Sequence, residues 1–287
     1  MAYSYRIIGV VAVIIIVSSL GWWRWQNQIA PYATVIFFDV GQGDAIYIRT
    51  LAGDDILIDG GPDTAVVRRL GEAMPFWDRT IELMISTHPD ADHSFGLVEV
   101  FEYYTVERIA LVAVPMTTAI HEELFRRLSA QGTVILQSKS GDVIALGPDE
   151  QLRVVYPFSD TPVAQLERND AAVVVEYKFF GDTETTILLP ADISAAIEQT
   201  LVATKVVADV DILKVAHHGS KSSSHPDFLA AVTPEYAVIQ SGQDNSYGHP
   251  HPEVLARLQT IATVLRNDQL GNITFHIDDQ GYKFIAN

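Results

Sequence analysis

The eight residues Ser-Thr-His-Pro-Asp-Ala-Asp-His at positions 86–93 constrain this chain more than any other stretch. They follow the apolar run IELMI and precede a helix-like segment, so they occupy a strand-to-helix loop. Four potential metal ligands, His88, Asp90, Asp92 and His93, fall within six residues there. Imidazole and carboxylate both suit divalent cations, and a tight turn can aim them at two neighbouring sites. A single Asp or His in a loop reads as a cap or turn former. Four together read as a metal centre.

Around this loop the chain alternates short strand-like runs with helical ones. VIFFDV, AIYIRT and DILIDG precede a helix over residues 65–70, and IELMIST follows it. LVAVP, TVILQ, VIAL and LRVVYP come next, with an amphipathic helix over residues 118–130 whose apolar face carries Ile120, Leu124, Phe125 and Leu128. The second half continues with VVVEYKFF, TTILLP, DILKVA, YAVIQ, ITFHI and YKFIA. Many short strands with interspersed helices imply two packed sheets flanked by helices. No low-complexity stretch divides the chain, so residues 33–287 read as one α/β domain behind a linker at 26–32.

Residues 1–25 read differently. Positions 7–23 carry no charge and are bounded by Arg6 and Arg24; as a helix they would span roughly 26 Å, close to a bilayer's hydrocarbon core. Trp22, Trp23 and Trp25 sit where an interfacial aromatic belt would lie. A cleavable signal peptide with Ser18 and Ser19 near the cut is the competing reading, but bulky Trp residues follow and favour a single-pass anchor. A very short amino-terminal tail that stays inside would put the domain outside the cytoplasm. The net charge of -17 opposes tight non-specific binding of phosphodiester backbones or anionic lipid. The absence of cysteine excludes disulfides, a thiol nucleophile and cysteine-ligated zinc.

His88-x-Asp90-x-Asp92-His93 resembles the signature of the metallo-β-lactamase superfamily, in the Asp-containing form of the carboxy-terminal domain of ComEC/Rec2-type competence proteins. Five further segments match that branch in order: DVGQGD at 39–44, LIDGG at 57–61, LLPAD at 188–192, LKVAHHGS at 213–220 and NSYGHP at 245–250. The match covers residues 35–281, without the multi-spanning channel of those proteins. It implies a metallo-β-lactamase αββα four-layer fold, an α/β (α+β) sandwich, preceded here by one N-terminal transmembrane helix.

The resemblance also implies two divalent metal ions that activate a shared water as hydroxide. His88 and Asp90 would hold one ion, Asp92 and His93 the other, with Asp192 bridging and one of the adjacent pair His217 and His218, here taken as His217, completing the second site. Asp59 would orient a ligand, and the other histidine of the pair, His218, would give a proton to the leaving group. His249 and Asn245 would contact a substrate oxyanion or transfer a proton, and Ser220 would contact substrate. A structural Tyr-Gly-His-Pro turn is the alternative for Asn245 and His249. The DVGQGD glycines read as a hairpin turn, since no phosphate-loop lysine follows. The chain departs from the pattern where a third-motif His is expected, leaving Asp170 or Asn169 as replacement ligand; Pro190-Ala191 stands for Thr-Gly, and Ser94-Phe95 for a small-Gly pair. An Asp at position 90 adds charge and a hard oxygen, shifting preference from zinc towards manganese.

By resemblance the activity would be phosphodiester hydrolysis on DNA, with single-stranded DNA as partner and Lys214 and Lys221 as sources of a local basic groove. Hydrolysis of a cell-surface phosphodiester or a lactone, and metal binding without turnover, are the competing readings. Protein partners are not legible.

Overall fold

The computed structural model describes residues 30–112 and 118–286, together with positions 15, 16, 18 and 19. The expected anchor and most of the expected linker therefore lie outside the described residues. Among the described residues no helix is long and apolar enough to cross a membrane.

The chain builds two sheets in succession. Strands β1 (Ala33–Phe37), β2 (Ile46–Arg49), β3 (Asp55–Ile58), β4 (Thr80–Ile85), β5 (Thr105–Leu111) and β6 (Val134–Gln137) form the first. Strands β7 (Val143–Ala145), β8 (Glu150–Tyr156), β9 (Val174–Phe180), β10 (Glu184–Leu189), β11 (Ile212–Lys214), β12 (Tyr236–Ile239) and β13 (Thr263–Arg266) form the second. β14 (Ile273–Asp278) and β15 (Gly281–Ile285) then return to the first, giving the orders β15-β14-β1-β2-β3-β4-β5-β6 and β13-β12-β11-β10-β9-β8-β7. Each sheet is half antiparallel and half parallel: β3 to β6 run parallel in one, β10 to β13 in the other.

Side-chain alternation makes the layers. Ile56 and Ile58 of β3, and Ile187 and Leu189 of β10, meet in a core between the sheets. Their neighbours Leu57 and Leu188 face the opposite ways, into two outer cores. Helices α1 (Ala65–Ala73), α2 (Ala91–Val100) and α3 (Ala119–Gln131) cover the first sheet through Val66, Leu70, Leu97, Leu124 and Leu128. Helices α4 (Ala195–Ala203), α5 (Pro226–Val232) and α6 (Pro252–Leu258) cover the second through Leu201, Phe228, Leu229 and Leu258. The result is four layers, helix-sheet-sheet-helix. The expected face of α3 is the one that packs: Leu124 and Leu128 are buried, and Ile120 and Phe125 lie partly buried against the same core.

One strand sits earlier than the sequence suggests. LVAVP was the expected strand, but β5 is TVERIAL and ends at Leu111, with residues 113–117 outside the described residues. Glu107 and Arg108 interrupt its apolar pattern, although Val106, Ile109, Ala110 and Leu111 are buried.

Two close approaches position the site. The DVGQGD segment is the β1–β2 hairpin connection, closed by Phe38 N–H donating to the Ala45 carbonyl at 2.9 Å. A Cβ on Gly43 would fall 2.1 Å from the Asp92 carbonyl oxygen. Gly96 of α2 lies so near the turn after β3 that its Cβ would meet the Gly60 carbonyl at 1.9 Å. Gly96 supplies the close contact, whereas Phe95 of the Ser94-Phe95 pair points outward and is exposed. The start of α2 is thereby pressed against the end of β3.

Gly96→Ala should lower the unfolding free energy by about 2 kcal/mol or more, the scale of overpacking, read as a lower urea midpoint; an unchanged midpoint would refute the contact. A second expectation concerns Glu198 of α4, which is buried and accepts hydrogen bonds from the N–H groups of Ser224 (2.8 Å) and His225 (2.7 Å). Burial pushes its carboxyl up from 4.5 to about 7. The folded state then binds the proton more tightly than the unfolded chain, so this group's contribution is fullest below pH 4.5 and is lost as pH rises to about 7. Glu198→Gln should gain stability relative to the parent across that window, and parallel urea-midpoint profiles would count against the assignment.

Candidate metal centre

The sequence motifs converge because they follow strand ends on one edge of the sandwich. Asp59 follows β3, His88 to His93 follow β4, Asp192 follows β10, and His217 and His218 follow β11. The chain turns sharply there: Asp59, Ala191, His217 and His218 adopt positive φ of 58°, 52°, 52° and 55°, a region that side chains other than glycine seldom occupy. Ala191 stands where the resemblance expects Gly, which explains that expectation.

Two overlapping groups of ligand atoms result. Asp92, His93, Asp192 and His218 present atoms all within 4.8 Å of one another, and Asp59, His88 and His93 do the same. Within the first group, Asp192 Oδ2 lies 3.1 Å from His218 Nε2 and 3.3 Å from His93 Nε2, and Asp92 Oδ2 lies 3.5 Å from His218 Nε2. The His88 and His93 rings are 4.1 Å apart between centroids.

Each ring is fixed through its other nitrogen. Nδ1 of His93 meets Asp59 Oδ2 at 2.8 Å, Nδ1 of His88 meets Thr87 Oγ1 at 2.9 Å, and Nδ1 of His218 meets the Gln240 carbonyl at 2.9 Å. The three Nε2 atoms are buried and make no hydrogen bond. Buried polar atoms are rarely left so, and imidazole nitrogens grouped with carboxylates form a donor set that suits divalent cations. Asp59 also accepts from the Thr87 N–H (2.9 Å) and hydroxyl (2.6 Å), so its oxygens serve orientation.

The charges are mutually dependent. Burial would lower His93 and His218, but the Asp192 carboxylate, helped by Asp59 and Asp44, holds both well above the usual imidazole range. Burial would raise Asp192, yet His218, His93 and Lys214 hold it well below the carboxylate range. His88 is pushed down to about 4 by burial and by His93, so it is a neutral donor. Protons hold this cluster together where a cation could replace them.

Not every expected residue joins the groups. Of the pair His217 and His218, the structure brings His218 rather than His217 into the ligand group. The left-handed turn sends His218 inward, 1% exposed, and leaves the His217 ring at the mouth with Nε2 3.9 Å from Asp192 Oδ2. Asp90 stands at the N-cap position of α2 without a capping bond from its side chain, and pairs with Arg168 at 3.1 Å, outside both groups. Asp170 lies outside both groups and accepts from the Ser194 N–H and hydroxyl at 2.8 and 2.9 Å. Asn169 instead faces His217, with 3.3 Å between Nδ2 and Nε2. Asn245 spends its amide on its own loop, bonding the Gly242 and His249 carbonyls and the Tyr247 and His249 N–H groups, so the structural alternative holds for it. Ser220 bonds Ser222 at 2.9 Å. His249 lies at the rim, 5.7 Å from the His217 ring. Asp90, Arg168, Asn169, Asp192, His217 and Ser222 are among the residues lining a cavity of about 430 Å³ at the mouth.

Two residues escaped the sequence reading. Asp44, taken as part of a hairpin turn, is buried 3.3 Å from His218 Nδ1. Lys214, expected to contribute to a basic groove, is fully buried against Asp44, while Lys221 is exposed.

No family model matches the chain. It is similar to ComE operon protein 3 of Bacillus subtilis, with 28% identity over 259 residues, 84% of this chain and 32% of that protein. Recombination protein 2 of Haemophilus influenzae is 28% identical over 83% of this chain and 28% of its own length. Competence protein ComA of Neisseria gonorrhoeae is 28% identical over 88% of this chain and 33% of its own length. The chain thus spans about a third of the length of these relatives. Among solved structures it resembles the metallo-β-lactamase fold protein YhfI of Bacillus subtilis (TM-score 0.54, 11% identity, 85% of this chain and 99% of that one). It also resembles Igni18, a metallo hydrolase of Ignicoccus hospitalis (TM-score 0.53, 14% identity, 84% and 98%). The four layers are those of the metallo-β-lactamase fold.

Manganese at about 100 times its Kd should stabilise the protein by about 2.7 kcal/mol through linkage. Thermal melts with manganese and with chelator would read it; coincident melts would refute a cation centre at these residues.

Proposed function

We propose that this chain is a divalent-metal-dependent phosphodiesterase that cleaves single-stranded DNA. The observation that carries the reading is the convergence of His93 Nε2 and His218 Nε2, neither of them hydrogen-bonded, on the carboxylates of Asp92 and Asp192, with the equally unbonded His88 in an overlapping group through His93. The names of the relatives, which refer to competence and recombination, direct it to DNA. His88, Asp92, His93, Asp192 and His218 would hold up to two cations, and three imidazoles with two carboxylates suit zinc as well as manganese. When bound, the cations would supply an activated water and neutralise charge on the attacked and leaving oxygens.

The protein's own groups do the rest. Asp59, Thr87 and Gln240 fix the rings before substrate arrives. Arg168, exposed at the mouth and paired with Asp90, can exchange that partner for a phosphate oxygen. His217 stands at the mouth with Nε2 facing inward, where it can hold or pass a proton at a departing oxygen. The charge of -17 repels an extended phosphate backbone and so keeps binding local to the mouth. We further place residues 7–23 as a membrane anchor with the domain outside the cytoplasm.

The test pairs manganese-dependent cleavage of single-stranded DNA with that of bis-p-nitrophenyl phosphate. Both should be cleaved, and Asp92→Ala should reduce each rate by about 100-fold or more, as expected for losing transition-state charge stabilisation. Cleavage of the small ester alone would favour a different phosphodiester; equal rates in parent and variant would refute the site.

A further inference from the structure

Lys214 ends β11 with no exposure to solvent, yet it belongs to neither ligand group. A buried ammonium is costly unless fully paired. Its Nζ contacts Asp44 Oδ2, lies 3.6 Å from Asp192 Oδ1 and 3.4 Å from the Ala191 carbonyl. Asp44 in turn sets its other oxygen 3.3 Å from His218 Nδ1, beside the Gln240 carbonyl that the same nitrogen meets at 2.9 Å. The pair therefore reaches two residues of the centre from behind. The oxygens of Asp192 diverge as a result: Oδ1 faces Lys214, and Oδ2 faces His93 and His218.

We propose that Asp44 and Lys214 are a positioning pair for the metal centre. The ammonium holds one oxygen of Asp192 so that the other is presented to the ligand group, and Asp44 holds the His218 ring so that Nε2 points the same way. The two charges cancel in sum, so the pair adds no net charge beside the centre. The pair and its partners come from the β1–β2 connection and the ends of β10 and β11. The inference rests on the metal-centre reading above.

The test uses the charge-neutral double variant Asp44→Asn/Lys214→Met, which leaves the net charge beside the centre unchanged. Replacing a buried ion pair by uncharged groups is often tolerated by folding, and near-ultraviolet circular dichroism checks this; Asp44→Asn/Lys214→Gln serves if the methionine variant does not fold. Manganese affinity, read from the free-ion electron paramagnetic resonance signal, should fall about tenfold or more, the usual effect of losing a group that orients a ligand. Arg49→Met/Asp55→Asn is the control, because it removes an ion pair of 2.7 Å at the far end of β3; it should leave the affinity at the parent value. Parental affinity in the Asp44/Lys214 double variant, or an equal fall in the control, overturns the positioning role. A parent that binds no manganese overturns the metal centre itself, which separates the two failures.

Discussion

Bringing carboxylates and imidazoles out of water at the meeting edge of two sheets is the constraint from which the rest of this structure follows. Isolated buried charges would be prohibitive, so each must be answered by a neighbour. Asp59 is answered by Thr87 and His93, Asp44 by Lys214 and His218, and Asp192 by groups from both sheets. The strained turns after β3, β10 and β11 are tolerated because this network over-determines them.

The fold's symmetry explains why the network closes. The parallel half of each sheet delivers its strand ends to the same edge, so β4 brings His88, Asp92 and His93 from one side, while β10 and β11 bring Asp192 and His218 from the other. Neither sheet holds the set alone. The glycines at 43, 60 and 96 matter for the same reason, since they let the hairpin, the turn after β3 and the start of α2 crowd behind Asp92 and His93.

Much of this was legible in the sequence. Period-two alternation on apolar strands and the six ordered motifs carried the layered fold and most of the residues that meet. The failures have physical causes. His217 and His218 are adjacent and both left-handed, so no periodicity says which one turns inward. β13 and helices α4 to α6 were not delineated, being short segments of mixed burial. β5 hid its alternation behind Glu107 and Arg108, and Lys214 looked solvent-facing because a lysine buried to 0% is rare enough to be discounted. Asn245 and Asp170 have the right chemistry, but they bond backbone and serine donors and lie outside the two groups, a placement that composition does not reveal.

Gln240 gives this architecture a mechanical character. From the end of β12 its side-chain amide donates to the carbonyls of Phe38 and Ala45, each at 3.0 Å, while its own carbonyl holds His218. An oily interface between two sheets resists separation far better than it resists sliding, because apolar contacts have little directionality. The Gln240 amide acts as a shear pin across that interface. Slippage by one residue would break both of its bonds, and would also carry Asp192 and His218 out of register with Asp92 and His93.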